Sequence, residues 1–329
     1  MKPVIGISIG DINGVGPEII LKAIGKIDLE ASSPLIIAPK QVLDYHAKQL
    51  KLRIHINRCE FIDQIDPGFI NLLDMPVEDL KIVPGNKSTQ SGEIAMQSIE
   101  LGIELASIEV TQALVTAPIS KEAVNLAGYK IPGHTEFLAQ KTDTDEVLMM
   151  LVSEALRVAL VTAHIPISAV SKTISKELIL RKLGILDQSL KKDFGIPSPK
   201  IAVFGLNPHA GDGGVIGKEE IEVIIPTLKK AQSSGINAEG PFPADGFFGQ
   251  RLDKEFDAIL AMYHDQGLVP FKLLSFGKGV NFTAGLPIIR TSPDHGTAFN
   301  IAGKGSANPS SFIQAYELAV QLAKKRYEP

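Results

Sequence analysis

The sequence is poor in cysteine: Cys59 is the only one among 329 residues. A single cysteine excludes an internal disulfide and a cluster of thiolates, and it is typical of a protein from a reducing compartment. We expect Cys59 to pack as a small hydrophobic residue. Zinc sites built from CxxC pairs are excluded as well.

Long apolar runs and runs of positive charge are also lacking. The longest apolar region, 147–163, is interrupted by Glu154 and Arg157, so no membrane span is expected. The first apolar segment meets Asp11 too soon for a signal peptide, and we expect a cytoplasmic protein. The 33 basic and 37 acidic residues give a formal charge of −4, and the longest basic run is 324–326. A nucleic-acid partner is therefore not expected.

Short apolar runs alternate with longer amphipathic stretches along the chain. This alternation is typical of α/β proteins with a largely parallel sheet, and the length favours two domains of about 150 residues each. A hairpin around Ser153 and Glu154 predicts a mixed sheet. The predicted strands are 4–9, 35–38, 113–117, 147–152, 157–162, 200–205, 257–262 and 287–290.

Three of the predicted strands are followed by a histidine: His164, His209 and His264. In open α/β sheets, ligands bind beyond the carboxyl ends of the strands. One such histidine is usually structural, but three at equivalent positions indicate a metal site with open positions, which is typical of a catalytic metal. Asp245 and Asp265 lie in similar loops, where they could orient the imidazoles or act as a general base.

Two other segments have the composition of binding loops, and a stretch between them along the chain carries two cations and an amide. The segment 10–18 joins the first strand to a helix, and its N–H groups either bind an anion or form a tight turn needed only for packing. It lacks the G-x-G-x-x-G pattern of dinucleotide-binding turns. Lys272, Asn281 and Arg290 lie in a glycine-punctuated stretch and suit a phosphate or carboxylate. The glycine-rich segment 294–305 would let its backbone approach a ligand closely.

A set of short motifs in order along the chain supports a family resemblance. The most specific are Leu-Asn-Pro-His-Ala-Gly (206–211) and Met-Tyr-His-Asp-Gln-Gly (262–267). On these and the other matching motifs, the chain resembles the 4-hydroxythreonine-4-phosphate dehydrogenases of pyridoxine biosynthesis. The other matching segments are 10–18, 132–136, 162–164, 285–292 and 294–298.

The resemblance implies the isocitrate/isopropylmalate dehydrogenase-like fold, with two α/β/α domains around a cleft. The first domain is expected to contain residues 1–127 and 285–329, and the second, dimer-forming domain residues 128–284. The resemblance also implies a homodimer with its active sites at the subunit boundary. We expect His164 and His209 of one chain and His264 of the other to share a site.

The same resemblance implies roles for individual residues. It places a divalent metal, Zn²⁺, Co²⁺ or Mg²⁺, on the three histidines. Relatives often carry an acidic residue where Asn300 stands, so NADP remains possible beside NAD. The implied substrate contacts are His134, Thr135, Lys272, Asn281 and Arg290, and the implied cofactor contacts are His295, Gly296, Thr297, Ala298 and Asn300.

The implied reaction is the oxidation of 4-phosphohydroxy-L-threonine at its 3-hydroxyl, followed by decarboxylation to 3-amino-2-oxopropyl phosphate. A paralogous dehydrogenase of 4-phosphothreonate or 4-phosphoerythronate is the nearest alternative, because the shared motifs do not distinguish an amine from a hydroxyl at C2. A phosphate acyltransferase of the same fold is more distant, since it would leave the three histidines without a role. A non-catalytic binding protein is the weakest alternative for the same reason.

Overall fold

The computed structural model describes residues 2–131 and 133–327 of the chain. Pro132 of the 132–136 motif lies outside these residues, as do residues 1, 328 and 329 at the ends of the expected first domain. The chain forms two compact units. Unit 1 contains Met1–Asp145 and Leu286–Pro329, and unit 2 contains Glu146–Gly285.

Within the described residues, unit 1 has six strands, and the pairs that they form with one another are parallel. They are β1 (Val4–Ser8), β2 (Ser33–Ala38), β3 (Asn57–Cys59), β4 (Asn71–Asp74), β5 (Ala113–Thr116) and β12 (Arg290–Pro293), in the order β3-β4-β2-β1-β5-β12. Every residue of β2 and β5 is buried, so both faces of the sheet are covered, as is usual for parallel sheets. The helices of unit 1 are α1 (Gly16–Ile24), α2 (Lys40–Leu50), α3 (Thr89–Ser107), α4 (Lys121–Leu126), α5 (His134–Lys141) and α11 (Ser310–Tyr327).

Unit 2 has a mixed sheet. Its strands are β6 (Leu148–Val152), β7 (Arg157–Leu160), β8 (Ile201–Phe204), β9 (Ala238–Phe242), β10 (Ala258–Ala261) and β11 (Val280–Ala284), in the order β11-β6-β7-β10-β8-β9. The pairs β11/β6 and β6/β7 are antiparallel, and β7, β10, β8 and β9 are parallel to one another. The helices are α6 (Ile167–Thr173), α7 (Lys176–Lys192), α8 (Ile225–Ser233), α9 (Ala244–Gly249) and α10 (His264–Ser275).

An aromatic core in unit 2 supports the elements that carry the candidate site residues. Phe204 at the end of β8, Phe247 of α9 and Phe271 of α10 are buried in one cluster, and the rings of Phe204 and Phe247 lie 5.1 Å apart. Truncating such a buried ring costs about 3–5 kcal/mol. The core therefore fixes β8, α9 and α10 relative to one another.

The predicted α/β class and mixed, largely parallel sheet are confirmed. The antiparallel pair β6/β7 confirms the hairpin around Ser153 and Glu154. The strand predicted at 287–290 begins only at Arg290, and β3, β4, β9 and β11 were not predicted. β3 and β9 lie at sheet edges, where a strand can be short and polar or contain proline, as β9 does.

The division into units differs from the expected first boundary between residues 127 and 128. Helix α5 packs against α3 of unit 1, and Lys141 Nζ lies 2.8 Å from Glu100 Oε1. These contacts hold the segment up to Asp145 in unit 1. Among the described residues, no helix is both long and apolar enough to cross a membrane.

Candidate active site

The three strand-end histidines lie at one edge of the unit 2 sheet. His164 follows β7, His264 follows β10 and His209 follows β8, and these are adjacent parallel strands in the order β7-β10-β8. Parallel strands end at the same edge, where ligands bind in open α/β sheets. Strand order therefore places the segment with His264 between the segments with the other two histidines.

His164 and His264 form a close pair within one chain. Their ring centroids are 6.0 Å apart, and both residues line a cavity of about 330 Å³ together with Tyr263 and Asp265. Residues 2–131 and 133–327 contain no group of three or more His, Cys, Asp or Glu side chains that could hold a metal ion. His209 of the same chain therefore does not complete a three-ligand group with this pair.

Local hydrogen bonds fix the start of α10, which begins at His264. Thr162 Oγ1 donates to the carbonyl of Met262 (2.7 Å), which ties the segment before His164 to the segment before His264. Gln266 accepts from Met262 N (2.7 Å) and donates to the carbonyl of Gly205 (2.7 Å), at the end of β8. A Cβ at Gly267 would lie 2.7 Å from Val158 Cγ1, so glycine is needed for α10 to approach the sheet this closely.

The two candidate aspartates differ in their surroundings. Asp265 Oδ1 is 2.7 Å from His264 Nδ1, a contact that orients the imidazole and directs Nε2 away from the carboxylate. Asp245 lies in the first turn of α9, after β9, and its carboxylate is exposed. Because β9 is parallel to β8, Asp245 stands at the same sheet edge as the histidines.

Unit 1 contains a second polar cluster, around the buried Arg290. The Arg290 guanidinium donates to Thr116 Oγ1 from Nε (3.0 Å) and from Nη2 (2.7 Å). Burial lowers the pKa of Arg290 to about 10, so the group stays charged at neutral pH. Charged guanidinium groups of this kind bind phosphate and carboxylate groups strongly.

His134, the first residue of α5, belongs to the same cluster. Its Nε2 atom is shielded from solvent and has no hydrogen-bond partner in the described part of the chain. Burial, and then the charges of Arg290 and Lys121, hold the pKa of His134 well below 6.5. The imidazole is therefore neutral at physiological pH, and a buried nitrogen without a partner is typical of a ligand contact. Thr135 follows it in the first turn of α5.

Two residues of this cluster were not predicted from the sequence: Thr116 and Lys121. Thr116 ends β5, and Lys121 begins α4 after the N-cap Ser120, whose Oγ accepts from Ala123 N (3.3 Å). The signal that could have identified them is the one used for the histidines. Polar residues that follow a buried parallel strand lie at the edge where ligands bind.

The other predicted substrate residues belong to regular elements of unit 2. Lys272 is an exposed residue of α10, and Asn281 belongs to β11. The Asn281 Oδ1 atom is buried and accepts no hydrogen bond within the described ranges, which suits a ligand contact. The glycine-punctuated stretch 271–291 thus contains the end of α10, all of β11 and the start of β12.

The contacts of the segment 10–18 favour a packing turn over an anion site. Several of its amide groups have acceptors within the protein: Asp11 N donates to the Pro118 carbonyl (2.9 Å), Asn13 N to Asp11 Oδ1 (2.9 Å) and Val15 N to the Thr297 carbonyl (3.0 Å). Burial raises the pKa of the Asp11 carboxyl group. Amides that already have acceptors and a buried acid both disfavour an anion in this turn.

The hydrogen bond from Val15 N to the Thr297 carbonyl joins the 10–18 turn to the segment 294–305, where the cofactor residues are predicted. Thr297 is half-buried, while His295, Gly296 and Asn300 are exposed. Ala298 has φ +43°, a left-handed backbone conformation that residues other than glycine rarely adopt. Such strain is concentrated at ligand-binding segments.

The fold and these clusters define an α/β enzyme with imidazoles at the strand ends of one unit and a buried cationic cluster in the other. A family model described as "Pyridoxal phosphate biosynthetic protein PdxA" matches residues 30–319. The chain therefore belongs to this family.

Individual relatives are similar over nearly their whole length. A 4-hydroxythreonine-4-phosphate dehydrogenase from Bacteroides thetaiotaomicron is 44% identical, over 98% of this chain and 89% of the relative. A putative D-threonate 4-phosphate dehydrogenase from Oceanobacillus iheyensis is 42% identical, over 98% of both chains. The crystal structure of 4-hydroxythreonine-4-phosphate dehydrogenase from Klebsiella pneumoniae has a TM-score of 0.91 and 38% identity, over 98% of both chains. The chain is thus a member of a family of dehydrogenases, which implies a nicotinamide cofactor.

Proposed function

We propose that the protein oxidises 4-phosphohydroxy-L-threonine at C3 with NAD⁺ and releases CO₂ to give 3-amino-2-oxopropyl phosphate. The hydride leaves C3 for the nicotinamide, and the hydroxyl proton is transferred to a base. The product is a β-keto acid, which loses its carboxyl group as CO₂ and takes up a proton at C2. The observation that carries this proposal is the full-length similarity to 4-hydroxythreonine-4-phosphate dehydrogenases.

The donor set at the unit 2 sheet edge fits a divalent metal, and His164, His209 and His264 would hold it. Neutral imidazole is a common ligand of Zn²⁺ and Co²⁺, and the Asp265 contact orients His264 for that role. Mg²⁺ prefers oxygen ligands, so the donor set favours the first two ions. The bound ion would supply Lewis acidity at the reacting oxygen of the substrate.

In our proposal, Asp245 is the general base and Asp265 orients His264. Asp265 already contacts His264 Nδ1, while Asp245 presents an exposed carboxylate at the same sheet edge. A carboxylate in this place can take the hydroxyl proton as the hydride leaves.

The remaining predicted residues are proposed to bind the anionic and polar groups of the substrate. We assign the phosphate to Arg290, whose buried guanidinium retains its charge, with His134, Thr135 and Lys121 of the same unit beside it. Lys272 and Asn281 of unit 2 are proposed to bind the other polar groups of the substrate.

The segment 294–305 is proposed to bind NAD. Its exposed residues and the left-handed Ala298 make it open to a ligand, while the bond from Val15 N to the Thr297 carbonyl anchors it. NADP remains an alternative, because Asn300 has no charge that would select for or against a 2′-phosphate. The cytoplasmic location stays a prediction from the sequence.

We further propose that the active protein is a homodimer with shared metal sites. One helix carries both His264 and two exposed apolar residues, Val269 (55%) and Leu273 (69%), whose spacing of four residues puts them on one face. Phe276, which caps this helix, is 86% exposed. A second copy of the chain is the proposed occupant, since His164 and His264 of one chain still need a third ligand. We therefore assign His164 and His264 to one chain and His209 to its partner, which differs from the division expected from the resemblance.

The nearest alternative is D-threonate 4-phosphate dehydrogenase activity, which the name of the Oceanobacillus iheyensis relative makes specific. The two substrates differ at C2, where one has an amine and the other a hydroxyl. The test is to supply each with NAD⁺ and Zn²⁺ or Co²⁺ and to measure kcat/KM from NADH absorbance. A higher kcat/KM for the threonate would refute the proposed substrate, and no NADH with either would refute both.

A further inference from the structure

The turn that carries His209 has an unusual backbone. Five consecutive residues have positive φ: His209 (53°), Ala210 (50°), Gly211 (82°), Asp212 (45°) and Gly213 (62°). For residues other than glycine this left-handed conformation costs roughly 1–2 kcal/mol each. His209, Ala210 and Asp212 all bear this cost, so other contacts must hold the turn in place.

The side chain of Glu220 lies next to Gly211 of this turn and binds the two residues that lead into it. Its Oε1 atom accepts hydrogen bonds from Leu206 N (2.7 Å) and Asn207 N (2.8 Å), and Oε2 accepts one from Asn207 Nδ2 (2.9 Å). Glu220 is only 2% exposed. A Cβ at Gly211 would lie 2.6 Å from Oε2, so the carboxylate occupies the space next to Gly211 that a side chain would need.

Glu219 extends the network toward the segment that carries His164. Its carboxylate accepts from Asn207 Nδ2 (2.8 Å) and from the hydroxyl of Ser171 (2.6 Å) in α6, the helix that follows His164. These two hydrogen bonds lower the pKa of Glu219 to about 2, so it is a carboxylate at neutral pH. Residues 220–224 form a π-helical turn, an irregularity that is often found at functional sites.

We propose that Glu220 is a positioning residue that holds His209 in the orientation in which it binds the metal, while Glu219 fixes Asn207 to α6. This inference rests on the proposed metal site. Without the Glu220 carboxylate, Leu206 and Asn207, which lead into the turn, lose three hydrogen bonds. Relaxation of the left-handed residues would then move the imidazole. Residues that orient metal ligands typically change metal affinity about 10–100-fold when they are removed.

The test compares Glu220→Gln and Glu220→Ala with a matched control, Glu222→Gln. Glu222 lies in the same π-helical turn but is exposed, and its side chain makes no hydrogen bond or ion pair in the described structure. The readout is the Kd of the full-length protein for Zn²⁺, measured by calorimetry against a competing chelator, together with the Tm of the metal-free protein. His209→Ala provides the reference for complete loss of this ligand.

We expect unchanged affinity for Glu222→Gln and at least about tenfold weaker binding for Glu220→Ala. Glu220→Gln keeps one acceptor oxygen for the two backbone amides, so a smaller but measurable loss of several-fold is expected. If Glu220→Ala fails to fold, the glutamine variant provides the answer.

A rescue variant separates positioning from general stability. Ala210→Gly removes the cost of a side chain in the left-handed region, so the turn depends less on the carboxylate. Added to Glu220→Gln, it should restore part of the lost Zn²⁺ affinity, and alone it should leave the affinity near that of the unmodified protein. A purely structural role for Glu220 predicts a lower Tm with no such recovery.

The outcomes distinguish this inference from the proposed function. If His209→Ala weakens Zn²⁺ binding and the Glu220 variants do not, the positioning role is wrong and the metal site stands. If His209→Ala binds Zn²⁺ like the unmodified protein, His209 is not a ligand and both proposals fail.

Discussion

Mixing three histidine variants in pairs will show which chains supply the ligands of one metal site. The variants are His164→Ala, His209→Ala and His264→Ala. Each should be inactive as a homodimer, because both of its sites lack a ligand. Refolding two variants together produces mixed dimers, in which a site is intact only if its ligands come from the undamaged positions of the two chains.

The size of the recovery follows from the two-fold symmetry of the dimer. Which pairs of variants recover follows from the 6.0 Å separation of His164 and His264 within one chain. Random pairing makes about half of the dimers mixed, and a mixed dimer has one intact site of two, so about a quarter of the full activity should return. We assign His164 and His264 to the same chain. Recovery is therefore expected when His209→Ala is mixed with either other variant, and none is expected when His164→Ala is mixed with His264→Ala.

The assay is NADH formation after the two variants have been unfolded, mixed and refolded, with mixed dimers counted by native mass spectrometry. Recovery between His164→Ala and His264→Ala, and none between His164→Ala and His209→Ala, would support the division expected from the family resemblance instead. If no pair recovers although mixed dimers form, all three ligands belong to one chain. That result would refute the shared site.

Three further predictions concern single residues. Arg290→Ala should lower kcat/KM for the phosphorylated substrate by a factor that corresponds to about 2–4 kcal/mol of lost transition-state stabilisation. The kcat/KM for a non-phosphorylated analogue should change little. Equal losses for the two substrates would mean that Arg290 does not bind the phosphate. Asp265→Asn should weaken Zn²⁺ binding by about 10–100-fold, whereas Asp245→Asn should lower kcat by about 100-fold or more at similar metal affinity; the reverse pattern would exchange their roles. His134 stays neutral in the folded protein, so the unfolded state binds a proton near pH 6.5 that the folded state does not, and stability should fall as the pH drops below that value. His134→Asn should flatten this part of the pH profile, and an unchanged profile would contradict the assigned pKa.

Local patterns in the sequence predicted much of the scaffold. The apolar runs before His164, His209 and His264 form β7, β8 and β10 because continuous apolar residues suit strands buried on both faces. The hairpin between β6 and β7 also follows from residues that are close in the sequence. The same reasoning missed β3 and β9, since edge strands are covered less and have weaker apolar patterns.

Within the candidate site, the sequence by itself determined the residue types and their places at strand ends, and the tertiary structure decided their neighbours. Strand order β7-β10-β8 puts His164 beside His264, although His209 lies between them in the sequence. Arg290 is buried against Thr116, which is 174 residues away in the chain. Val15 N in the 10–18 turn donates a hydrogen bond to the Thr297 carbonyl. Such contacts depend on how distant segments pack, and no periodicity or local motif encodes that information.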